Sequence, residues 1–171
     1  SRLFYRVYGY DYINEYVYYP EKLAGMIREG KLISIVAALP GGRLAGHVGL
    51  VRWNEEPPVY EAALGLVDPE VKSSGLFGRT FDRAMQAASE TRMQYCFFDF
   101  VTNHDYSQKL IARYGTRDLA LLAGCQGKST QARLERIGIG KDPEGMDRYS
   151  ILLSILPQVK KPFGSENVSC T

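Results

Sequence analysis

The sequence predicts an α/β fold of mixed α+β character, in which helices cover a central mixed sheet. Short β-branched and aromatic runs alternate with segments whose apolar residues recur at helical spacing. Their order is strand, helix, three antiparallel strands, helix, strand, helix and two closing strands. We therefore expect one sheet of about six to seven strands in a single domain over residues 1–160, followed by a polar tail over residues 161–171.

The first half of the chain supplies four of these strands and the first helix. RLFYRVYGY, which begins at Arg2, has the aromatic and β-branched content of a strand, and the segment that follows becomes helical around Pro20 and stops at Gly30. LISIVAAL and LAGHVGLVRW flank the turn sequence PGGR, which predicts a hairpin. VYEAALGLV, over residues 59–67, is the third antiparallel strand.

The second half contains two helices and the remaining strands. In GRTFDRAMQAASETR, Phe81, Met85 and Ala88 fall on one helix face. QYCFFDFV, over residues 94–101, is apolar nearly throughout, which is typical of a strand covered on both faces, and DYSQKLIARYG is a helix that ends at Gly115. DLALLAG and DRYSILLSIL are the last strands, and residues 124–146 between them show no period.

The composition excludes several classes of protein. The net charge is only +2 and the basic residues are spread along the chain, so nothing indicates a nucleic acid or an acidic membrane surface as partner. The cysteines, Cys96, Cys125 and Cys170, lack the spacing of metal ligands, and we expect neither a disulfide framework nor a metal site. No apolar run approaches the ~20 residues that span a bilayer. We expect a soluble, cytoplasmic protein.

The stretch VDPEVKSSGLFGR, over residues 67–79, joins a strand to a helix and is a candidate phosphate site. Backbone N–H groups at a helix start carry partial positive charge, and glycines let an anion approach closely. The groups suited to an anion are Lys72, Ser73, Ser74, Gly75, Gly78 and Arg79. Any strand-to-helix connection favours Ser and Gly, however, so Ser74 as a simple N-cap is the alternative.

The spacing of this stretch resembles motif A of the GNAT acyltransferase superfamily. In that motif a strand ending in Val-x-Pro is followed by R/Q-x-x-G-x-G/A and a helix, and here Val67, Asp68 and Pro69 precede KSSGLF. Lys72 stands for the Arg or Gln, and Phe77 stands for the final Gly or Ala. The next strand, Asn103 and the helix that follows extend the resemblance over roughly residues 1–123.

The resemblance implies a GNAT-like sheet and acetyl-CoA, or another acyl-CoA, as co-substrate. The pantetheine arm would pair with the backbone of the strand over residues 59–67, where it parts from its parallel neighbour. The pyrophosphate would lie over residues 73–78, where the ring of Phe77 either crowds the seat or points into the core. The implied cofactor-binding residues are Leu66, Val67, Lys72, Ser73, Ser74, Gly75, Leu76, Phe77, Gly78, Arg79 and Asn103.

Two residues are candidates for acid–base catalysis. Glu61 lies six residues before Val67, so strand alternation places it on one face with Ala63 and Gly65, and the family resemblance makes it a candidate general base. An edge-facing charge at a strand start is the alternative. Alignment to the family puts Ile111 where a tyrosine acid would stand, which leaves Tyr114, Tyr106 on the same helix, or water as proton source.

The remaining polar and aromatic residues allow more than one interpretation. His47, in mid-strand, is expected to be a hydrogen-bonded structural residue, and His104 a residue at a helix start. The tyrosines of the first 19 residues either line an acceptor pocket or pack beneath a loop or in a subunit interface; they are Tyr5, Tyr8, Tyr10, Tyr12, Tyr16, Tyr18 and Tyr19.

The resemblance therefore implies an N-acyltransferase that moves an acetyl group to an amine by direct transfer in a ternary complex. The acceptor would be a small-molecule amine or a protein amine. Ile111 and Phe77, together with a chain that starts at Ser1, keep a second interpretation open, in which the chain is a non-catalytic acyl-CoA-binding or sensing module of a larger regulatory protein. A third is a protein-interaction domain without cofactor. A homodimer and further domains of a longer chain are the partners left open.

Overall fold

The computed structural model describes residues 1–71, 74–91, 93–102, 105–127 and 148–157. These residues form a mixed sheet of six strands in the order β1-β2-β3-β4-β6-β5, which confirms the predicted fold class. The strands are β1 (Leu32–Ala38), β2 (Leu44–Asn54), β3 (Val59–Val67), β4 (Tyr95–Val101), β5 (Arg117–Gly127) and β6 (Arg148–Pro157). The helices are α1 (Arg2–Tyr8), α2 (Pro20–Arg28), α3 (Leu76–Glu90) and α4 (Tyr106–Ala112), with short 3-10 helices at Glu15–Tyr18 and Pro69–Val71.

The predicted antiparallel run is confirmed. β1 pairs with β2 and β2 pairs with β3, both antiparallel, and the PGGR turn connects the first pair. After α3 the chain returns as β4, parallel to β3, because a helix is long enough to carry the chain back to the same end of the sheet. β6 then pairs antiparallel with both β4 and β5.

The predicted strand at the N-terminus is wrong, because this segment is helix α1. Leu3, Phe4 and Val7 are its buried residues, and their i, i+1, i+4 spacing lies on one side of a helix. The aromatic content that suggested a strand reflects packing against the sheet, since tertiary contacts override strand propensity. The second helix begins at Pro20, where a missing N–H costs nothing.

The two faces of the sheet carry separate hydrophobic cores. On the first, here called the α3 face, Phe81 and Met85 of α3 and Ile111 of α4 pack on strand residues that include Phe98. On the second, here called the α1 face, the buried side of α1 and Val17 pack on Leu32, Leu64 and Leu66. Each helix thus covers the sheet with its apolar stripe, as amphipathic helices do.

The prediction that residues 94–101 form a strand buried on both faces needs a correction. In β4, Cys96, Phe98 and Phe100 are buried, whereas Tyr95 and Asp99 are exposed. The strand therefore alternates: its inner side lies in the core of the α3 face, and the aromatic residues on its outer side are only partly covered.

Several predictions fall outside the described residues. They concern Lys72, Ser73, Asn103 and His104 near the candidate site, most of the segment without period, and the polar tail. Within the described part of the chain, none of the helices has the length and apolar content that a bilayer crossing requires.

Candidate active site

A bulge interrupts β3 at the centre of the sheet. Leu64 has a φ of 55°, and the pairing of β3 with β2 shifts register between His47 and Gly49. On the other side, registered pairs between β3 and β4 run from Val59 to the pair Glu61–Phe97 and then stop. Beyond that pair the two parallel strands diverge. We call the space between residues 62–67 of β3 and 98–101 of β4 the strand gap.

The strand gap leaves backbone groups of β3 available. Leu66 and Val67 keep their partners His47 and Gly46 on β2. On the side of β4, no described residue is in register with them. Backbone N–H and C=O groups that a neighbouring strand does not use can pair with an extended, amide-bearing ligand.

The N-terminus of α3 lies just after the strand gap in the chain. Gly75 has a φ of 73°, a left-handed conformation that favours glycine, and helix α3 starts at the next residue. The Ser74 hydroxyl oxygen accepts a hydrogen bond from the N–H of Leu76 at 3.3 Å. The N-cap of α3 is Gly75, however, so the alternative that made Ser74 the N-cap is wrong by one residue. The N–H groups of Phe77 and Gly78 belong to the first helical turn, where a helix offers them no acceptor.

A basic side chain bends over this turn. Nη1 of Arg79 donates to the Ser74 carbonyl oxygen at 3.1 Å, and a Cβ on Gly75 would lie 3.2 Å from the same nitrogen. The guanidinium therefore stands beside the helix start rather than away from it. Backbone dipole and side-chain charge act together at this position.

The ring of Phe77 points into the core of the α3 face. It packs against that core and lies 6.2 Å from the Tyr106 ring and 6.3 Å from the Phe81 ring, measured between centroids. A Cβ on Gly65 would come within 3.0 Å of Cε2 of Phe77, so the ring fits only because residue 65 is glycine. Gly78 faces α4, since its Cβ would contact Leu110 at 3.8 Å.

Glu61 lies on the α1 face, whereas Gly65, which alternation had placed on the same face, lies on the α3 face. Its register partner Val51 and the nearby Ala63 both pack on the core of the α1 face. Gly65, however, faces Phe77 on the α3 side. The prediction that Glu61 shares a face with Gly65 and Val67 is therefore wrong, because the bulge at Leu64 inserts one residue and reverses the alternation.

Aromatic side chains lie beside the Glu61 carboxylate on the α1 face. Nε1 of Trp53 donates to Oε2 of Glu61 at 2.8 Å, and the Trp53 ring meets Phe97 edge to face at 5.6 Å. Burial raises the pKa of the Glu61 carboxyl, the Trp53 hydrogen bond opposes that shift, and Asp99 adds to it. Burial and then Glu61 raise the pKa of Tyr16. The net result is a carboxyl group that holds a proton more readily than an exposed one.

Trp53 and Asp99 are site residues that the sequence alone did not single out. Trp53 precedes the turn between β2 and β3, and the predicted antiparallel pairing already placed the two strands side by side. A register extended across that turn would have brought Trp53 near Glu61. Asp99 gave no such signal, because its position depends on the parallel alignment of β4.

Tyr114 is not brought together with Glu61. Its hydroxyl donates to Oδ1 of Asp82 on α3, its ring packs 5.7 Å from Phe81, and it adjoins the core of the α3 face. Burial and the bond to Asp82 raise the pKa of Tyr114 to about 12. Ile111, at the family's tyrosine position, is buried in the same core, while Tyr106 is exposed beside Phe77. Neither tyrosine shares the α1 face with Glu61.

The N-terminal tyrosines pack mainly against one another. The rings of Tyr8 and Tyr12 lie 4.7 Å apart, and the backbone N–H of Tyr12 donates to the Tyr18 hydroxyl at 2.8 Å. This arrangement agrees with the alternative in which the tyrosines pack rather than line an acceptor pocket. Tyr12 and Tyr16 nevertheless interact electrostatically with Glu61, so two members of the group lie near the candidate site.

Solved structures with the same architecture come from acetyltransferases. The spermidine N-acetyltransferase from Vibrio cholerae, in complex with CoA and spermine, matches with a TM-score of 0.62 at 13% identity, over 82% of this chain and 74% of that chain. The ribosomal-protein-S18-alanine N-acetyltransferase from Escherichia coli matches with a TM-score of 0.61 at 9% identity, over 87% and 83%.

The IAA acetyltransferase from Bacillus cereus matches with a TM-score of 0.57 at 12% identity, over 81% of this chain and 84% of that chain. No protein-family model and no curated protein sequence matches this chain. At such identities the likeness concerns the architecture. Together with the diverging parallel strands, it shows that this chain has the fold of the GNAT superfamily.

Proposed function

We propose that this protein is an acetyl-CoA-dependent N-acyltransferase that moves an acetyl group to an amine by direct transfer in a ternary complex. The observation that carries the proposal is the strand gap, which leads directly to the N-terminus of α3. Backbone groups suited to an amide-bearing arm are thus followed, along the chain, by N–H groups suited to phosphate. A chain of net charge +2 needs such a local arrangement to hold a polyanion.

The described residues fit a CoA-type ligand. Leu66 and Val67 would pair with the pantetheine arm, and the first turn of α3 after Gly75 would face the diphosphate beside Arg79. The proposed diphosphate site is completed by Ser74, Leu76, Phe77 and Gly78. Of these, Phe77 and Gly78 contribute backbone N–H groups. Lys72, Ser73 and Asn103 stay predictions, because they lie outside the described residues.

Glu61 is the proposed general base. The bound thioester supplies an activated acetyl group, and the acceptor must lose a proton before its nitrogen can attack. A carboxylate with a raised pKa is a better proton acceptor than an ordinary one, and the Trp53 hydrogen bond keeps Glu61 oriented. When the carbon–sulfur bond breaks, the thiolate takes a proton from Tyr114 or from water.

Tyr114→Phe distinguishes these two proton sources. The hydroxyl is engaged by Asp82, so it must leave that partner to act. If Tyr114 is the acid, the variant loses about 10²-fold or more in turnover, the contribution of a positioned acid. An unchanged rate with normal CoA affinity assigns the proton to water.

The acceptor is an amine. The structural neighbours are named for spermidine and for the alanine of a ribosomal protein, which include both a small molecule and a protein. For this chain we propose that the amine reaches Glu61 on the α1 face, where Trp53, Phe97 and Tyr16 provide aromatic surface and Asp99 adds negative charge. Ammonium groups favour such surroundings.

Calorimetric titration with acetyl-CoA followed by measurement of thiol release tests the proposal. We expect saturable binding, and release of free CoA only when an amine from a panel of small amines and peptides is present. Absence of both heat and a melting shift would remove the cofactor from the account. Binding without release for any amine would make the chain a binding module.

A further inference from the structure

We propose that His47 is a positioning residue that holds the Leu64 bulge in place and thereby keeps the strand gap open for a CoA-type ligand. This inference rests on the proposed function, which it extends to a residue of β2 that stands outside the proposed cofactor seat. Its evidence is a set of hydrogen bonds and close contacts between β1, β2 and β3.

His47 is fixed at both ring nitrogens. Nδ1 lies 2.7 Å from the carbonyl oxygen of Leu64, and Nε2 lies 2.9 Å from the hydroxyl oxygen of Ser34 on β1. The ring is 7% exposed and meets the Phe4 ring edge to face at 5.4 Å. Contacts with β1, β3 and α1 therefore hold the imidazole in one orientation.

The hydrogen bonds define the tautomer. A carbonyl oxygen only accepts, so the proton must lie on Nδ1, which donates to Leu64. In the neutral ring Nε2 is then the acceptor, and the Ser34 hydroxyl donates to it. Burial lowers the pKa of His47, which favours this neutral form.

Leu64 needs such an anchor because its conformation is unfavourable for an L-residue. Among the described residues it is the non-glycine residue with a positive φ, at 55°. Its side chain is 2% exposed and packs over Gly49, where a Cβ would come within 3.0 Å of it. The side chain is thus anchored over Gly49, and the carbonyl is anchored by His47.

The bulge has a direct consequence for the strand gap. The carbonyl of Leu64 points to a side chain on the α1 face instead of extending a regular ladder. Registered pairing of β3 with β4 has already ended at Glu61, three residues earlier. If Leu64 returned to an extended conformation, the alternation of Gly65, Leu66 and Val67 would reverse, and their backbone groups would leave the positions proposed for the pantetheine arm.

Two substitutions at one position separate the hydrogen bond from packing. His47→Leu removes the donor while retaining an apolar side chain. His47→Asn keeps an amide N–H close to the position of Nδ1, so it is the matched rescue variant. We expect His47→Leu to weaken acetyl-CoA binding by about tenfold or more, and His47→Asn to stay within about threefold of the parent protein.

Ser34→Ala is the second test, because it removes the partner of Nε2 without touching the Leu64 bond. We expect it to weaken acetyl-CoA binding less than His47→Leu does. If His47→Leu does not fold, Ser34→Ala and the NMR measurements decide. A protein in which His47→Leu binds acetyl-CoA like the parent, or in which His47→Asn loses as much as His47→Leu, overturns the proposal.

NMR of the ligand-free protein keeps this test independent of the proposed function. Nitrogen-15 spectra of His47 are expected to show the proton on Nδ1, and amide exchange at Leu64 to Val67 is expected to speed up in His47→Leu but not in His47→Asn. If the parent protein binds no acetyl-CoA, the proposed function fails, but these NMR measurements still test whether His47 holds the Leu64 bulge in place. A proton on Nε2 contradicts this role.

Discussion

The properties that suit Glu61 to the proposed role of general base come from its surroundings rather than from its place in the sequence. Partial burial raises its pKa, and Trp53 holds one carboxylate oxygen in a fixed direction. An exposed glutamate at a strand start, the alternative that the sequence left open, would have neither property. The residue therefore combines raised basicity with orientation, which are the two requirements for a general base.

Glu61→Gln tests this role. We expect turnover to fall by about 10²–10⁴-fold because the proton acceptor is lost, while acetyl-CoA affinity stays unchanged. Thiol release gives the rate and calorimetry the affinity. Glu21→Gln, at an exposed carboxylate in the first turn of α2, is the control and should turn over like the parent protein. Unaltered turnover in Glu61→Gln would remove Glu61 from the mechanism.

The buried His47 gives stability a defined pH dependence. Its pKa in the folded protein lies below the ordinary value of 6.5, so below that pH the unfolded chain binds the proton more readily than the folded one. The His47 contribution to the free energy of unfolding is complete above pH 6.5 and is lost as the pH falls through the lowered pKa. His47→Asn cannot titrate and should lack this loss.

Urea unfolding between about pH 7.5 and about pH 5 measures the difference between the two proteins. Glu61 and Asp99, whose pKa values are raised, contribute a dependence of opposite sign, but they are present in both proteins and cancel in the difference. A parent curve parallel to that of His47→Asn over this range would contradict the burial of a neutral imidazole.

At the scale of elements, α3 brings a helix start to the end of β3. Gly75 makes this possible, because the left-handed residue turns the chain from the 3-10 turn at Pro69–Val71 into the helix. Gly75→Ala should cost ~1–2 kcal/mol of stability through its positive φ. It should also weaken acetyl-CoA binding, since the new Cβ meets Arg79.

Gly41→Ala is the matched control for Gly75→Ala. Gly41 also has a positive φ, at 88°, but it lies in the β1–β2 turn with open space around it. Both variants should lose similar stability in urea unfolding, and only Gly75→Ala should lose affinity in calorimetry. Equal loss of affinity in both would indicate a general effect of destabilisation instead of a cofactor seat.

The elements show where sequence periodicity suffices and where it fails. β3 was predicted with its observed bounds, and α3 and α4 within a few residues, since strong periods and glycine stops mark them. α1 was predicted as a strand because its aromatic residues have strand propensity and its helical stripe is only two turns long. The prediction that Glu61 shares a face with Gly65 and Val67 was wrong because one bulged residue reverses the alternation of the residues after it. Such a bulge leaves no mark in the hydrophobic pattern.

For the whole molecule, the sheet separates two chemically different faces, and the proposed function requires the strand gap to join them. The start of α3 and the ring of Phe77 lie on the α3 face, whereas Glu61 and its aromatic neighbours lie on the α1 face. A continuous sheet would keep a thioester and an amine on opposite sides. In the proposed enzyme the acetyl group passes through the opening, where β3 has left β4.

The strand order could be predicted only in part. Hairpin turns fixed the neighbours of β2, but the insertion of β6 between β4 and β5 depends on long-range pairing that no local pattern reveals. The same holds for the strand gap, which the family resemblance implied and which rests on where parallel register ends. The composition alone indicated only that any anionic ligand would have to be bound by a few neighbouring groups, because the net charge is low.

An amide NMR titration of the isotope-labelled protein with CoA tests the central claim most directly. We expect saturable shifts concentrated at Leu64 to Val67 and at Ser74 to Arg79, the two sides of one continuous ligand path. The β1–β2 turn, including Gly41, should remain unchanged. Shifts confined to other parts of the chain, or none at millimolar CoA, would show that the strand gap and the start of α3 do not form a cofactor site.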